Sequence, residues 1–496
     1  MGITLEQWIV EADIGSMQLA MEAGTVRSED LVRVYIERIR ACNDTLRAVL
    51  EVNPDAIAIA RELDRERSEQ GSRGMLHGIP ILLKDNIDTQ DRLHTSAGSV
   101  ALADNFAAED SQVAKRLRAA GAVILGKTNM TEWAGFMSGS IWAGYSSRGG
   151  LTLNPYGPGK VFVGGSSSGS AVATAANLAA AAIGTETSGS IISPSSQNNI
   201  VGIKPTVGLI GRSGIIPISR TQDTAGPMAR TVTDAAIVLG AMTGVDERDP
   251  ATEGSVGRAY ADYTPFLDAG YLKHARIGIP RYYYYGLDEA RRVIFDDAIE
   301  VLSQAGATII DPVTLPSYNT DWQWAVLHYE FKTGVNDYLE KLDPSLPVHS
   351  LREVIAYNDL HADIALTYGQ DGLTGSESTS GTLTEQAYTD ALKQNDEMAR
   401  RQGLDYALET YGLDALLFLG NEGGADLAAR AGYPSITVPG GFALTGVVAP
   451  GGYTTDGPQG ITFVGAAYGE PTLIKLAYGY EQATKHRRTP PPLVDV

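Results

Sequence analysis

Cysteine, histidine and positive charge are all scarce in this chain. The single cysteine, Cys42, rules out an internal disulfide and supplies no zinc cluster. It sits in a helical pattern and reads as inert packing. No staple is needed, because 43% of the residues are hydrophobic and 20% are charged, an ordinary globular composition with ample material for a core. Lys and Arg number 39 against 59 Asp and Glu, and the net charge of -20 repels phosphate backbones and anionic lipid. Nucleic acid and membrane surfaces are therefore poor partners, and neither is expected. A hydrophobic run long enough to span a bilayer is also missing. The most apolar stretch, AVATAANLAAAAIG (171–184), is too short and too rich in alanine, and reads as a buried helix with a following turn. The start, MGITLEQWIVEADIGS, has acidic residues and no basic segment ahead of an apolar run, so it does not read as a signal peptide, and a cytoplasmic location is expected.

What is present alternates between helix and strand signals. The first 70 residues read as amphipathic helices, with Ser28 expected as an N-cap and Gly24 and Gly71 at C-terminal stops. GIPILLKDNIDT is a strand ending in a polar turn, and SQVAKRLRAAGAVILGKTN is a helix, a glycine stop and a strand. Beyond Gly244, ARIGIPR and ATIIDPVTL flank the helical DEARRVIFDDAIEVLSQAG. NTDWQWAVLHYEFKTGVNDYLEKL reads as a long helix whose aromatic stripe (Trp322, Trp324, Tyr329, Phe331) belongs to core or pocket wall. GQDGLTGSESTSGTLT (369–384) reads as a polar loop, a surface insertion or lid. DALLFLG, YPSITVPGGF and GITFVGA add three strands, and PTLIKLAYGYEQATKH a closing helix. With no repeat and no linker, the expectation is one α/β domain over 1–496, a central mixed sheet covered by helices on both faces. Within it a core of about 70–245, a variable region of about 245–410 and closing elements of about 411–486 are distinguished.

Hydroxyl groups concentrate in GGSSSGS (164–170) and GTETSGS (184–190), yet between Gly78 and Arg230 the only histidine is His94. GAVILGKT (121–128) satisfies the phosphate-loop pattern, but Ala122 to Leu125 form an apolar strand that spends its N–H groups on a sheet, so nucleotide binding is rejected and Lys127 is read as structural or near a pocket edge. GSSSG centres a nucleophile-elbow pattern on Ser167. It requires a later histidine, and His274, His328, His349, His361 and His486 qualify by order alone. No lysine has a serine three positions before it, which excludes the SxxK arrangement. Lys84, at the end of the apolar strand GIPILLK, offers another base: desolvation lowers a lysine pKa from about 10.4 toward neutrality. An ion pair of Lys84 with Asp85 or Asp88 is the structural alternative.

These segments together resemble the amidase signature family: GxPxxxKD at 78–85, GGSSSG at 164–169 and GTETSGS at 184–190, followed by GIKPTVGLI and GPMARTVTDAA. LHGIPILLKDNID, AGAVILGKTNMTEWA, YPSITVPGGF and PTLIKLAYGYEQAT extend the similarity over most of the chain, least between about 245 and 410. The resemblance implies that Ser190 is the nucleophile, Ser166 a bridging serine preceded by a cis peptide bond, and Lys84 the base. It also implies an oxyanion site of the backbone N–H groups of Thr187, Ser188, Gly189 and Ser190, with no metal or organic cofactor. Ser167, Ser168 and Ser170 are expected to hydrogen-bond the turn and cap the helix that follows. Ser188 departs from the family, where glycine or aspartate is common.

The same resemblance bears on the substrate. Family members that hydrolyse glutamine usually carry arginine two residues after the nucleophile, and here that residue is Ile192. A substrate carboxylate would be left unpaired, at considerable cost. SSRGGLTLNPYGPGK ahead of GGSSSGSA is similar to bacterial peptide amidases, so a C-terminal peptide amide is the expected substrate. Aryl or fatty amides, and the glutamine-hydrolysing component of an amidotransferase that works with partner proteins, are the alternatives. The region of about 320–400 is expected to build the pocket, and a homo-oligomer is left open.

Overall fold

The apolar runs of the sequence meet in one sheet. A computed structural model describes residues 4–443 and 457–493. Its strands are β1 (Val49–Val52), β2 (Pro80–Lys84), β3 (Val123–Thr128), β4 (Tyr145–Ser146), β5 (Gly150–Leu151), β6 (Ala181–Glu186) and β7 (Val201–Lys204). They continue as β8 (Thr224–Ala229), β9 (Arg276–Gly278), β10 (Thr308–Ile310), β11 (Ala415–Leu419), β12 (Ser435–Ala443) and β13 (Gly457–Val464). Eleven of them form a sheet in the order β1-β3-β2-β6-β8-β7-β12-β13-β11-β9-β10, while β4 and β5 pair separately. The sheet is mixed: β2 lies parallel to β3 and β6, and β9 parallel to β10 and β11. The remaining neighbours are antiparallel. Strands β2, β3 and β6 are buried at every position, which is why PILLK and VILGKT read as continuous runs and not as alternation. This is the expected α/β architecture.

Helices flank the sheet, and those of Ser28–Leu46, Val232–Met242 and Glu470–Thr484 contribute Tyr35, Val238 and Tyr480 to the main core. A second apolar cluster gathers Phe331, Val335 and Leu339 of the helix Ala325–Leu339 against Trp133, Met137 and Leu373.

Four local expectations are corrected. The alanine run is not wholly helical: the helix ends at Ala175, and Ala181–Glu186 is strand β6. Alanine's helix preference is worth less than about 1 kcal/mol per residue, and here it yields to pairing on both edges, with β2 and β8. The segment 369–384 is not simply a loop, since Asp371–Glu377 is helical. Leu373 is fully buried there, and Asp371 holds the Ser138 hydroxyl and, at 3.2 Å, the Gly139 N–H. Ser28 lies inside its helix, with its hydroxyl donating to the Gly78 carbonyl at 2.7 Å, and the preceding Arg27 is the cap residue. The long aromatic helix begins only at Ala325, so Trp322 and Trp324 stand ahead of it. Among the described residues no helix is long and apolar enough to cross a membrane.

Candidate active site

Parallel pairing of β2 and β6 brings their carboxyl ends to the same edge of the sheet, the position where open α/β sheets place ligands. Lys84 ends β2 and Thr185 and Glu186 end β6. The helix Ser168–Ala175 starts beside them, so the serine-rich loop is delivered to the same point. Its approach needs a small residue on β6: a Cβ on Gly184 would lie 2.8 Å from Ser167 Oγ.

Lys84 is fully buried, and its Nζ lies 2.8 Å from Ser166 Oγ, 2.9 Å from Ser167 Oγ, 2.9 Å from Thr185 Oγ1 and 3.2 Å from the Thr185 carbonyl. Burial lowers its pKa to about 7, against the opposing pull of the Asp223 and Glu186 charges. A neutral amine has two N–H groups to give and one lone pair to accept with. Ser167 cannot fill that lone pair, because its O–H goes to the Thr185 carbonyl at 3.0 Å, while its oxygen also accepts the Thr185 N–H at 3.2 Å. Thr185 Oγ1 accepts Asn86 Nδ2 at 3.0 Å, which leaves its O–H, like that of Ser166, able to face the amine. Ser166 Oγ has no hydrogen-bond partner other than Lys84 among the described residues, and so is free to present its O–H to the amine. The ion pair with Asp85 or Asp88 is not formed: Asp85 is held by the Ser96 hydroxyl, the Gly98 N–H and Arg148, and Asp88 by the Tyr338 hydroxyl at 2.8 Å.

The Gly165–Ser166 peptide bond is cis. Ser190 is brought against the serine loop by the Ser167 N–H, which donates to the Ser190 carbonyl at 3.1 Å. Its own hydroxyl makes no hydrogen bond to protein among the described residues. The turn ahead of it is organised by Glu186, a carboxylate 1% exposed, which accepts the N–H groups of Gly189 at 2.8 Å, Ile191 at 2.7 Å and Ile192 at 2.9 Å. Gly189 adopts φ +80°, the left-handed conformation open to glycine. Its N–H, expected to face an oxyanion, is thus directed at Glu186. Thr187, Ser188 and Ser190 keep N–H groups without a protein acceptor among the described residues. The Thr187 hydroxyl donates to Asp223 at 2.5 Å, and burial pushes the Asp223 carboxyl up to about 6.

Ser168 Oγ donates to the Gly164 carbonyl at 2.6 Å and Ser170 Oγ to the Ile183 carbonyl at 3.0 Å; the helix they open has no side-chain cap bond. Lys127 is buried in β3, with Nζ on the Ile87 carbonyl at 2.7 Å and Thr95 Oγ1 at 2.8 Å. No histidine hydrogen-bonds Ser166, Ser167 or Ser190 among the described residues; His94 pairs with Glu51 and His328 with Ser376. No cluster of three His, Cys, Asp or Glu side chains there is placed to hold a metal ion. A cavity of about 680 Å³ touches the site through Asn86, Thr185, Thr187 and Asp223, and is walled beyond by Ile216, Gly334 and Tyr338. Sequence reasoning missed Thr185, Glu186 and Asp223 as parts of the site; the one available signal was an acidic residue at the end of a fully apolar run, AAIGTE.

Known proteins resemble this chain over most of their length. Residues 30–474 match the model of the Amidase family. The native peptide amidase from Stenotrophomonas maltophilia superposes with a TM-score of 0.88 at 44% identity, covering 98% of this chain and 99% of that one. An amidase family protein from Bacillus anthracis gives a TM-score of 0.91 at 38% identity, with coverage of 99% and 95%. A protein named probable amidase from Arabidopsis thaliana is 42% identical over 493 residues, 97% of this chain and 92% of the relative. The A component of the glutamyl-tRNA(Gln) amidotransferase from Methylobacillus flagellatus is 33% identical over 493 residues, 94% and 96% of the two chains. The chain belongs to the amidase signature family and is a hydrolase of amide carbon–nitrogen bonds.

Proposed function

We propose that the protein releases ammonia from the C-terminal carboxamides of peptides, through an acyl-enzyme on Ser190. The observation that carries the reading is a lysine whose Nζ is 2.8 Å from Ser166 Oγ, in a site dry enough to bring its pKa to about 7. In this mechanism neutral Lys84 takes the proton of Ser166 as Ser166 takes that of Ser190, and Ser190 Oγ adds to the amide carbonyl. The N–H groups of Thr187, Ser188 and Ser190 meet the developing oxyanion, with the Gly189 N–H turned to Glu186. Ser166 then returns the proton to the departing nitrogen as the C–N bond breaks, and water clears the ester by the same steps in reverse. The ammonia carries one proton away and the water supplies its replacement, which returns Ser190, Ser166 and Lys84 to their starting states with no oxidant or reductant.

For the substrate, the support is the 44% identity to a peptide amidase and the absence of a cation at Ile192, which is fully buried with its N–H on Glu186. The cavity has an apolar wall of Ile216, Gly334 and Tyr338 for an acyl chain, and its charged lining includes Arg212, Arg220 and Arg248, paired with Asp249, Glu330 and Glu109. The test is ammonia release by the purified chain from an N-acylated dipeptide amide, from glutamine and from an aryl and a fatty amide, with Ser190→Ala and Lys84→Ala alongside. Peptide-amide turnover lost in both variants is expected. Glutamine as the preferred substrate would favour the amidotransferase reading, and activity surviving in Lys84→Ala would remove Lys84 as the base.

A further inference from the structure

Ser188 carries a hydroxyl that the proposed chemistry does not use. It donates to Asp426 Oδ1 at 3.2 Å, and the other oxygen of Asp426 accepts Nε of Arg430 at 3.0 Å. Asp426 and Arg430 are four residues apart on the helix Gly424–Ala431. The same helix meets the nucleophile turn: its Ala425 Cβ is 3.9 Å from where a Cβ on Gly189 would stand. The Arg430 guanidinium lies over the rings of both Trp322 and Trp324, its carbon 4.7 Å from each ring centre, and one of its terminal nitrogens donates to the Gln323 carbonyl at 3.1 Å and Asn395 Oδ1 at 3.2 Å. Its side chain is only 3% exposed, whereas that of Asp426 is 32% exposed.

We propose that Asp426 and Arg430 are positioning residues for the nucleophile turn: the pair, clamped by Trp322 and Trp324, fixes Ser188 and so the backbone N–H groups on either side of it. A buried guanidinium held against two indoles and bonded to two acceptors is restrained, and the carboxylate hydrogen-bonded to its edge is aimed by it. The Ser188 hydroxyl then stops the turn from rotating between the Glu186-bound Gly189 and the Asp223-bound Thr187. A glycine at 188 has no hydroxyl to give, so this tether would be absent with it. The inference rests on the reading of Ser190 as nucleophile.

The experiment measures the rate of covalent labelling of the full chain by a fluorophosphonate, which needs a reactive serine and an anion-stabilising turn but no particular amide substrate. Ser188→Ala and Asp426→Asn should each slow labelling about tenfold, and the double variant should be no slower than the slower single one, because both break the same chain from Ser188 through Asp426 to Arg430. Ser188→Thr, which keeps the hydroxyl, should stay within twofold of the parent. On a peptide amide the same variants should lower kcat with KM changed less than threefold. Arg430→Gln should act as Asp426→Asn does, and Ser188→Ala keeps the question open to test should Arg430→Gln fold poorly. Labelling within twofold of the parent in Ser188→Ala and Asp426→Asn, or losses that multiply in the double variant, overturn the inference. Labelling that persists in Ser190→Ala overturns the choice of nucleophile and the inference with it, whereas slowed labelling in a chain that spares peptide amides upholds the inference and rejects only the substrate.

Discussion

Replacing Lys84 with methionine is expected to abolish turnover and yet to stabilise the protein at pH 7. An unfolded lysine titrates near 10.4, while the buried Lys84 titrates at about 7, so folding expels a proton throughout that interval. The unfolded state binds more protons there, and stability therefore rises with pH from about 7 to about 10.4 and is lowest below 7. The full penalty, at and below pH 7, is on the order of 5 kcal/mol for a shift of this size. Methionine is of similar length and carries no charge. It leaves Ser166 Oγ without its partner, a loss of about 1–3 kcal/mol, but Ser167 keeps Thr185 and Thr185 Oγ1 keeps Asn86. The net gain is about 2–4 kcal/mol, which for a chain of this length is about 1 °C of Tm per kcal/mol. Thermal unfolding of both proteins at pH 7 and pH 9.5 measures it: the variant should melt higher at pH 7, and its advantage should shrink or vanish at pH 9.5. A variant that melts lower at pH 7, or a Tm difference that ignores pH, would refute the claim that Lys84 is held neutral by burial.

Other expectations follow from the same geometry. kcat/KM on an amide should rise with pH through about 7 as Lys84 loses its proton, and Asp223→Asn, by removing a charge that favours the protonated amine, should move that limb to lower pH; an unmoved limb would show that Asp223 does not act on Lys84. Glu186→Gln leaves at least one of three backbone N–H groups facing an amide nitrogen, so it should cost about 2–4 kcal/mol of stability and lower kcat; an unaltered Tm would contradict the role given to the carboxylate. Gly184→Ala would place a Cβ 2.7 Å from Met228 Sδ and 2.8 Å from Ser167 Oγ; displacing Ser167 from Lys84 should reduce kcat at least tenfold, and a variant within twofold of the parent would mean that the serine loop yields.

What could be read from the chain follows from how local each signal is. Lys84 was legible because a lysine at the end of PILLK conflicts with its neighbours' hydrophobicity, and the structure indeed buries it at the end of a strand paired on both sides. The strands ALLFL and SITVPGGFA were legible from length and branching alone. Ala181–Glu186 was not, because alanine's local preference points to helix and only the flanking β2 and β8 decide otherwise. The commitment of Gly189 to Glu186 and the chain from Ser188 through Asp426 to Arg430 were equally hidden. They depend on which segments, as much as 238 residues apart, fold against one another, and no spacing in the sequence encodes that.

The two ends of the large sheet have a consequence for how the protein behaves in a crowded solution. A long strand left unpaired on one side is a template for another chain. Here one border, β1, has four residues with a register shift between Val49 and Glu51, and the other, β10, has three and is followed at once by Asp311 and Pro312. Among the described residues neither offers a flat row of free amides of the length that strand addition requires, so the eleven-stranded sheet ends in short borders. Short border strands of this kind disfavour strand addition, which leaves the interior strands free to be as hydrophobic as β2, β6 and β11 are.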